Sequence, residues 1–322
     1  MLRHEKKLSR FQSLAKFLRG TGYILFVVAL LSVLLDRIFF QDHGFPPPHL
    51  KTKGLFTRSP SRNGTWALLL NGAVRPKKNH YRYWNNISLM HCSLRSMGWQ
   101  NIVILSADGT STAPDRIRRS FLGMIGYGAP ENSPMDLDMD GRPDIAGPAT
   151  RSALHQAFGV IGRKMSPTDS LFIFITDHGM LSSVRGRIKP VAALWDDKIS
   201  GREFQEMIAS HIPESCWTAI LATQCWCAMF LREVTRPNTM LIASGRPIWI
   251  WSSQDYSLFP QLFCESLLGK KVFTAEPVPA DADGNGEVSF REAFRSARSR
   301  DHVPEWPVLW VNGDPSAMPH IF

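Results

Sequence analysis

From residue 66 onwards, short apolar runs alternate with segments that have the periodicity of amphipathic helices. The apolar runs have the length of buried strands. This alternation predicts an α/β fold, in which a mostly parallel sheet is sandwiched by helices. The predicted strands cover residues 66–72, 101–109, 171–179, 190–197, 216–226 and 238–245. The predicted helices cover residues 81–98, 150–165 and 201–210.

The N-terminal 40 residues have a different character. Residues 20–35 carry no charge over 16 positions, and Ile38, Phe39 and Phe40 extend the apolar character. A membrane-spanning helix needs roughly 17–25 residues, so we predict a transmembrane anchor at residues 21–40. The alternative is a cleaved signal peptide, but its apolar region covers only about 7–15 residues. Bulky residues also follow the segment, where a cleavage site would have small ones.

The basic charge of the chain is concentrated at its start. Residues 1–20 hold six basic residues and one acidic residue, and so carry +5 of the net charge of +9. A basic flank favours the cytoplasmic side, which places the rest of the chain in a periplasmic or lumenal space. Because so little charge remains elsewhere, and no nucleic-acid motif is present, we exclude a nucleic-acid partner. The five cysteines are too few for a disulfide scaffold.

Two reactive side chains follow two of the predicted strands. His178 comes directly after an apolar run, and Cys225 follows another run 47 positions later. Reactive groups in parallel α/β sheets gather at the carboxyl ends of strands. If the two strands are neighbours, the imidazole and the thiol meet at one edge of the sheet. Taken singly, each residue also has a structural explanation, as a capping histidine and as a small core cysteine.

Such a pair supports nucleophilic acyl transfer. The thiolate is the nucleophile, and an imidazole can accept the thiol proton and later protonate the leaving amine. Gly179 permits close backbone approach, so its N–H and that of Cys225 are candidate donors to the oxyanion. We expect a peptide or protein substrate, no organic cofactor, and a buried or spare second thiol at Cys227.

The residues around this pair resemble the legumain family of cysteine peptidases, which has the caspase-type fold. The stretch FIFITDHG at residues 172–179 is similar to the strand and Asp-His-Gly turn of the family, and QCWCAMF at residues 224–230 to its cysteine-containing strand end. Residues 79–98 are also similar to the catalytic subunit of the glycosylphosphatidylinositol transamidase. The resemblance covers residues 66–251 and implies that His178 is the catalytic histidine and Cys225 the nucleophile.

The same resemblance implies roles for the residues before the first predicted helix. Arg82 takes the position of an arginine that lines the specificity pocket. The orienting asparagine of the family falls on Asn79 or, with Arg82 in register, on His80. The sequence departs from the family at Tyr83, where a histidine is usual. The loop after residue 245 lacks the usual acidic residue, so a preference for asparagine in the substrate is not implied.

Residues 281–292, DADGNGEVSFRE, match the calcium loop of an EF-hand. The predicted ligands are the side chains of Asp281, Asp283, Asn285, Ser289 and Glu292 and the carbonyl of Glu287. Pro277 and Pro279 exclude an entering helix, so we expect a structural calcium site and no sensor. The alternative is a solvated acidic turn.

Residues 136–144, DLDMDGRPD, form a second acidic loop. Asp136, Asp138, Asp140 and Asp144 are placed to surround one calcium ion. Four carboxylates within nine residues repel one another when no cation is present. The alternative is again a solvated acidic loop.

These features divide the chain into five segments. The segments are a basic cytoplasmic segment at 1–20, the anchor at 21–40, a Pro/Ser-rich linker at 41–64, a caspase-like domain at 65–275, and a C-terminal part with the EF-hand-like loop at 276–322. The sequence therefore predicts a single-pass, membrane-anchored cysteine endopeptidase with calcium-stabilised loops. The alternatives are transamidase-type acyl transfer on the same dyad, and a non-catalytic calcium-binding module on a peptidase-like scaffold.

Overall fold

The computed structural model describes residues 44–57, 59–117, 130–184, 186–245, 255–303 and 305–322. The strands in these residues are β1 (Arg62–Asn71), β2 (Trp99–Ser106), β3 (Ser170–Thr176), β4 (Gly179–Val184), β5 (Arg187–Leu194), β6 (Asp197–Ser200), β7 (Trp217–Ala222), β8 (Thr239–Ala243) and β9 (Val308–Asn312). The helices are α1 (Pro48–Lys51), α2 (Tyr81–Ser96), α3 (Arg151–Lys164), α4 (Gly201–His211), α5 (Cys227–Leu231), α6 (Leu258–Leu268) and α7 (Phe290–Arg300).

Six of these strands form the main sheet, in the order β2–β1–β3–β7–β8–β9. The first five strands in this order are parallel to one another, and β9 pairs antiparallel with β8 at the edge. The predicted α/β class with a mostly parallel sheet is therefore confirmed. Because all five parallel strands end on the same side, their carboxyl ends share one edge of the sheet.

Both faces of the sheet are buried because alternate strand residues point to opposite sides. On β1, Ala67 and Leu69 belong to one hydrophobic cluster, and Leu68 and Leu70 belong to the other. Helices α2, α6 and α7 contribute to the first cluster, while α3, α4 and α5 contribute to the second. The sheet is thus the middle layer of three.

The segment at residues 190–197, which we predicted as another strand in the alternation, lies outside the main sheet. It forms part of β5, which pairs antiparallel with β4 and β6 in a separate three-stranded sheet. The chain leaves β3 through Asp177, whose φ of 106° redirects the backbone. A β-hairpin follows directly, before helix α4 completes the crossover to β7, so the apolar pattern of β5 indicated a strand but not its sheet.

The C-terminal residues extend the same domain. Helix α7 packs in the same cluster as α6, and β9 completes the main sheet. The predicted boundary at residue 275 therefore falls between two helices of one core. The periodicity of residues 308–312 is too short to have indicated an edge strand.

The predicted linker at residues 41–64 is packed on the domain where the structure describes it. His49 is buried, and its ring nitrogens lie 2.8 Å from the Tyr256 hydroxyl and 2.7 Å from the Ser88 hydroxyl. No helix within the described residues is long and apolar enough to cross a membrane. The predicted basic segment at 1–20 and anchor at 21–40 lie outside those residues.

The approach of the two sheets predicts that Gly72 cannot be replaced. A Cβ at Gly72 would lie 1.8 Å from the carbonyl oxygen of Ala193, whereas a Cβ at Gly147 would meet only Leu105 Cδ2 at 3.7 Å. We expect Gly72→Ala to lower the free energy of unfolding by at least about 1–3 kcal/mol, because the backbone at Ala193 or at residue 72 must move to make room. Gly147→Ala, the matched control, should stay within about 1 kcal/mol of the parent. Urea unfolding of both variants measures this, and equal stabilities would contradict the assigned packing.

Candidate active site

The predicted pair follows neighbouring strands. Strands β3 and β7 are adjacent and parallel, with Ile175 opposite Ala222. Thr223 joins the two ends, since its N–H and its hydroxyl both donate to the Ile175 carbonyl at 2.9 and 3.1 Å. His178 and Cys225 therefore leave the same edge of the sheet on adjoining loops. The adjacency that the sequence analysis required is confirmed.

Backbone contact between the two loops is direct. A Cβ placed on Gly179 would lie 1.8 Å from the carbonyl oxygen of Cys225 and 2.7 Å from Cγ of Gln224. Only glycine allows this separation, which explains why glycine follows the histidine. The other side of the histidine loop is held by the Ala193 N–H, which donates to the His178 carbonyl at 2.9 Å.

The imidazole of His178 is oriented by the loop before α2. Its Nε2 lies 3.0 Å from the Lys78 carbonyl oxygen and 3.5 Å from the Tyr83 hydroxyl. A carbonyl oxygen can only accept, so Nε2–H donates to Lys78 and Nδ1 is the basic nitrogen of the neutral ring. The ring side chain is 28% exposed, which keeps it accessible to a ligand.

Two aromatic rings enclose this histidine. The ring centroids of His80 and Tyr83 lie 5.9 and 5.3 Å from that of His178, both in edge-to-face orientation. Of the two orienting candidates, His80 is therefore the one that contacts His178. The side chain of Asn79 is fully buried against Asp115 instead, and its Nδ2 donates to the Asp115 carbonyl at 3.0 Å. The orienting role of either residue stays a prediction.

Arg82 is buried, and it donates from Nη2 to the Tyr83 hydroxyl at 2.9 Å. Burial raises the pKa of Tyr83 to about 12, with smaller opposing effects from Arg82. The thiol of Cys225 also acts on this phenol electrostatically, since its charge raises the same pKa. Tyr83 therefore lies within electrostatic reach of both members of the predicted dyad. The predicted role of Arg82 in a specificity pocket stays a prediction.

Asp177 is a buried carboxylate beside the histidine, and we did not predict a role for it. Its Oδ1 lies 3.6 Å from His178 Nε2, and its side chain has no exposure to solvent. Burial raises the pKa of Asp177 to about 8. The backbone N–H of His178, the charge of Arg82 and the N–H of Ala73 lower this pKa only in part.

The two thiols of the Cys-Trp-Cys stretch differ in environment. Cys225 is partly exposed in the turn after β7, whereas Cys227 begins α5 and is buried. The Cys227 Sγ lies 3.3 Å from the Gly245 carbonyl oxygen, and burial raises its pKa to about 11. Trp226 has a left-handed conformation, with φ of 63°, which separates the two side chains. Cys227 is thus the buried second thiol that we expected.

The sequence analysis did not identify the buried polar side chains at the ends of the strands, next to the loops that carry His178 and Cys225. Gln224 directly precedes Cys225 in the sequence. Its side-chain amide is buried and has no hydrogen-bond partner among the described residues. Asn71, at the end of β1, donates to the Asn79 side chain at 3.4 Å and to Ser106 at 3.2 Å. A polar residue at the end of an apolar run is the signal that would have identified these positions.

Three of the six predicted ligands of the EF-hand-like loop converge. Carboxylate oxygens of Asp281, Asp283 and Glu292 lie within 4.8 Å of one another. Asp281 accepts from the N–H groups of Gly284 and Gly286 at 2.8 and 2.9 Å. These bonds hold the loop closed.

The exiting helix of this loop is present, and the entering helix is not. Ser289 caps α7, and Glu292 accepts from the Ser289 N–H at 2.9 Å in a capping box. Residues 276–280 are not helical, as the two prolines predicted. Among the other predicted ligands, the Asn285 side chain accepts from the Glu287 N–H at 2.8 Å.

The second acidic loop is only partly arranged as predicted. Oxygens of Asp136, Asp138 and Asp140 lie within 4.8 Å of one another. Asp144 instead shares a cluster with Asp138 and His91. Burial, together with the charges of the neighbouring aspartates, raises the pKa of Asp144 to about 6, although the Leu137 N–H lowers it in part.

The buried state of Asp177 predicts a pH dependence of stability. An unfolded aspartate loses its proton near its ordinary pKa of 3.8, but the folded one does so near 8. The fold is therefore penalised increasingly as the pH rises from about 4 to 8. Asp177→Asn removes this penalty. The difference between the free energies of unfolding of Asp177→Asn and the parent should therefore grow in favour of the variant from pH 4 to 8. Its slope should approach about 1.4 kcal/mol per pH unit.

Denaturant unfolding at a series of pH values measures this difference. Asp314→Asn is the control, because Asp314 is exposed and the N–H of Ser316 lowers its pKa. It should show no rising difference between pH 4 and 8. A difference for Asp177→Asn that is constant with pH would contradict a protonated, buried Asp177.

Comparisons with known proteins identify a fold and no family. No protein-family model matches this sequence, and no curated protein matches it. Among solved structures, the chain is similar to protein GSU0716 from Geobacter sulfurreducens, with a TM-score of 0.51 and 11% sequence identity. The match covers 78% of this chain and 95% of that chain. At this identity the likeness shows that the fold is shared and nothing further.

Proposed function

We propose that this protein is a cysteine peptidase of the legumain type, with a caspase-like sheet and a His178–Cys225 dyad. The observation that carries the proposal is the packing of Gly179 on the Cys225 carbonyl at the adjoining ends of β3 and β7. This packing fixes the histidine loop against the cysteine loop. Cys225 and His178 are both partly exposed on these loops. We propose that the thiol and the imidazole reach the same bound peptide.

The proposed reaction has two steps. Nδ1 of His178 accepts the thiol proton, and Cys225 Sγ attacks the substrate carbonyl carbon. The N–H groups of Gly179 and Cys225 are the proposed donors to the resulting oxyanion. The imidazolium then protonates the leaving amine, which departs from the acyl-enzyme. The Lys78 carbonyl keeps the ring in the required tautomer throughout.

The acyl-enzyme is released by attack of an acceptor on the thioester. Water gives an endopeptidase, and an amine gives a transamidase, with the same dyad in both. We propose hydrolysis as the default, because water needs no dedicated binding site. The proposed anchor at residues 21–40 would hold this activity at a membrane surface, on the periplasmic or lumenal side.

Cation binding by the two acidic loops is the second part of the proposal. At residues 281–292 every convergent side-chain ligand is an oxygen, the type that calcium prefers. Closing this loop stabilises the start of α7, which packs in the core. The three carboxylates at residues 136–140 also converge, so we propose a cation there as well.

Covalent labelling with an electrophilic peptide probe tests the dyad. We expect the parent protein and Cys227→Ala to be labelled and Cys225→Ala to be unlabelled, because only Cys225 is accessible. His178→Ala should slow labelling by about 10²–10⁴-fold through loss of the base. Mass spectrometry of the labelled peptide measures this. Labelling that survives Cys225→Ala, or a folded parent that is never labelled, would favour the non-catalytic module.

Calcium titration with thermal unfolding tests the EF-hand-like loop. Calcium at 100 times its Kd should stabilise the parent by about 2.7 kcal/mol. Glu292→Gln loses the charged bidentate ligand. It also has one acceptor oxygen in place of two, whereas both oxygens of Glu292 accept backbone N–H groups, so it should be less stable than the parent without calcium. The test is the gain on adding calcium, which should be smaller than that of the parent. Glu276→Gln, an exposed control that only pairs with Lys271, should respond as the parent does. An equal gain in all three proteins would refute this site.

A further inference from the structure

We propose that His91 and the acidic loop at residues 136–144 form a binding site for a divalent transition-metal ion, with His91 as a nitrogen ligand. This goes beyond a calcium site, because it adds a ligand that calcium does not prefer. One nitrogen of His91 and one carboxylate oxygen each of Asp138 and Asp144 lie within 4.8 Å of one another. A single ion fits among atoms at these separations.

The burial of His91 and its unpaired ring nitrogen are the observations that point to a ligand. The residue is 4% exposed, in the middle of α2, and it faces the loop. Its Nδ1 has no hydrogen-bond partner within the described residues and lies 3.6 Å from Asp144 Oδ2, beyond hydrogen-bond distance. A buried polar nitrogen without a partner carries a desolvation cost. A metal ion between the nitrogen and the carboxylate would remove that cost.

The loop is fixed to α2 around this nitrogen. The Ser88 hydroxyl donates to the Leu137 carbonyl at 2.5 Å, and the Cys92 thiol approaches the same oxygen at 3.9 Å. The Leu137 N–H in turn donates to Asp144 Oδ2 at 2.6 Å. Ser88 and Cys92 lie four residues apart on one side of α2, and His91 directly precedes Cys92. The ligand set is therefore held in place by packing and not by the acidic residues alone.

Charge and access also suit a cation. Asp136 and Asp140 add two further carboxylates next to Asp138. Arg95 is the competing positive group nearby, and its guanidinium donates to the Gln100 side chain at 2.6 Å. A surface cavity of about 340 Å³ is lined by Arg95, Asp138 and Asp140. An ion can reach the carboxylates through this cavity.

The ligand types separate the two loops. Imidazole nitrogen suits first-row transition metals, whereas sites with oxygen ligands alone suit calcium and magnesium. One nitrogen with several carboxylates is typical of manganese and zinc. The loop at residues 281–292 has no histidine among its converging groups, although His320 lies 3.6 Å from Asp283. We therefore expect the loop with His91 to be the transition-metal site.

Binding of Mn²⁺ alone, followed by electron paramagnetic resonance, tests the proposal. Free Mn²⁺ gives the affinity, and electron spin echo modulation detects a coordinated ¹⁴N. The parent should bind Mn²⁺ with ¹⁴N modulation. His91→Gln should lose the modulation and about 10–100-fold in affinity at that site. His320→Gln and His178→Gln are the matched controls, and both should keep the modulation.

Three results would overturn the proposal. These are Mn²⁺ bound by the parent without ¹⁴N modulation, modulation that persists in His91→Gln, and modulation that disappears in His320→Gln or His178→Gln. If His91→Gln does not fold, Asp144→Asn takes its place, since Asp144 is less buried. It should weaken the nitrogen-coupled binding by a similar factor. An unchanged affinity in Asp144→Asn would likewise overturn the assignment.

Discussion

The Gly179 backbone packs directly on the Cys225 carbonyl, and the candidate active site depends on this contact. It joins the ends of two neighbouring parallel strands, which the Thr223 bonds to Ile175 already hold together. Any side chain at Gly179 would push the histidine loop away from the cysteine loop. The same loop starts the small antiparallel sheet, so the site and the second sheet share one origin.

Holding the histidine in this way leaves a carboxylate buried beside it. Asp177 carries a positive φ, and its side chain has no exposure to solvent. Such a residue is unfavourable for folding when ionised. Backbone strain of this kind concentrates at functional sites. The nearby phenol of Tyr83, hydrogen-bonded by Arg82, completes a buried polar layer under the imidazole.

Helix α2 connects this site with the acidic loop at residues 136–144. Its first turn carries Tyr83 against the His178 ring, and His91 follows eight residues later, about 12 Å along the axis. Both contacts are made by one rigid element. A cation on the loop would therefore stabilise the helix that contacts the His178 ring.

Local sequence patterns were enough to predict many elements of the fold and the candidate site. The runs ending at His178 and Cys225 are apolar and short, so strands were predictable, and strand ends are where a parallel sheet places its reactive groups. The calcium-loop spacing at residues 281–292 and the prolines before it also specify local geometry. The antiparallel sheet was not predictable, because β5 has the same apolar pattern whether a crossover or a hairpin precedes it.

By itself, therefore, the sequence determined the five parallel strands, the helices at residues 81–98, 150–165 and 201–210, the two candidate reactive residues and the two acidic loops, since each is encoded by neighbours along the chain. Tertiary structure alone decided which side chains meet. It placed His80 and not Asn79 beside His178, and it buried Asp177. It also brought His91 close to Asp144, which lies 53 positions later in the chain. These pairings depend on how the layers pack, and packing is set by contacts between distant segments that no local pattern contains.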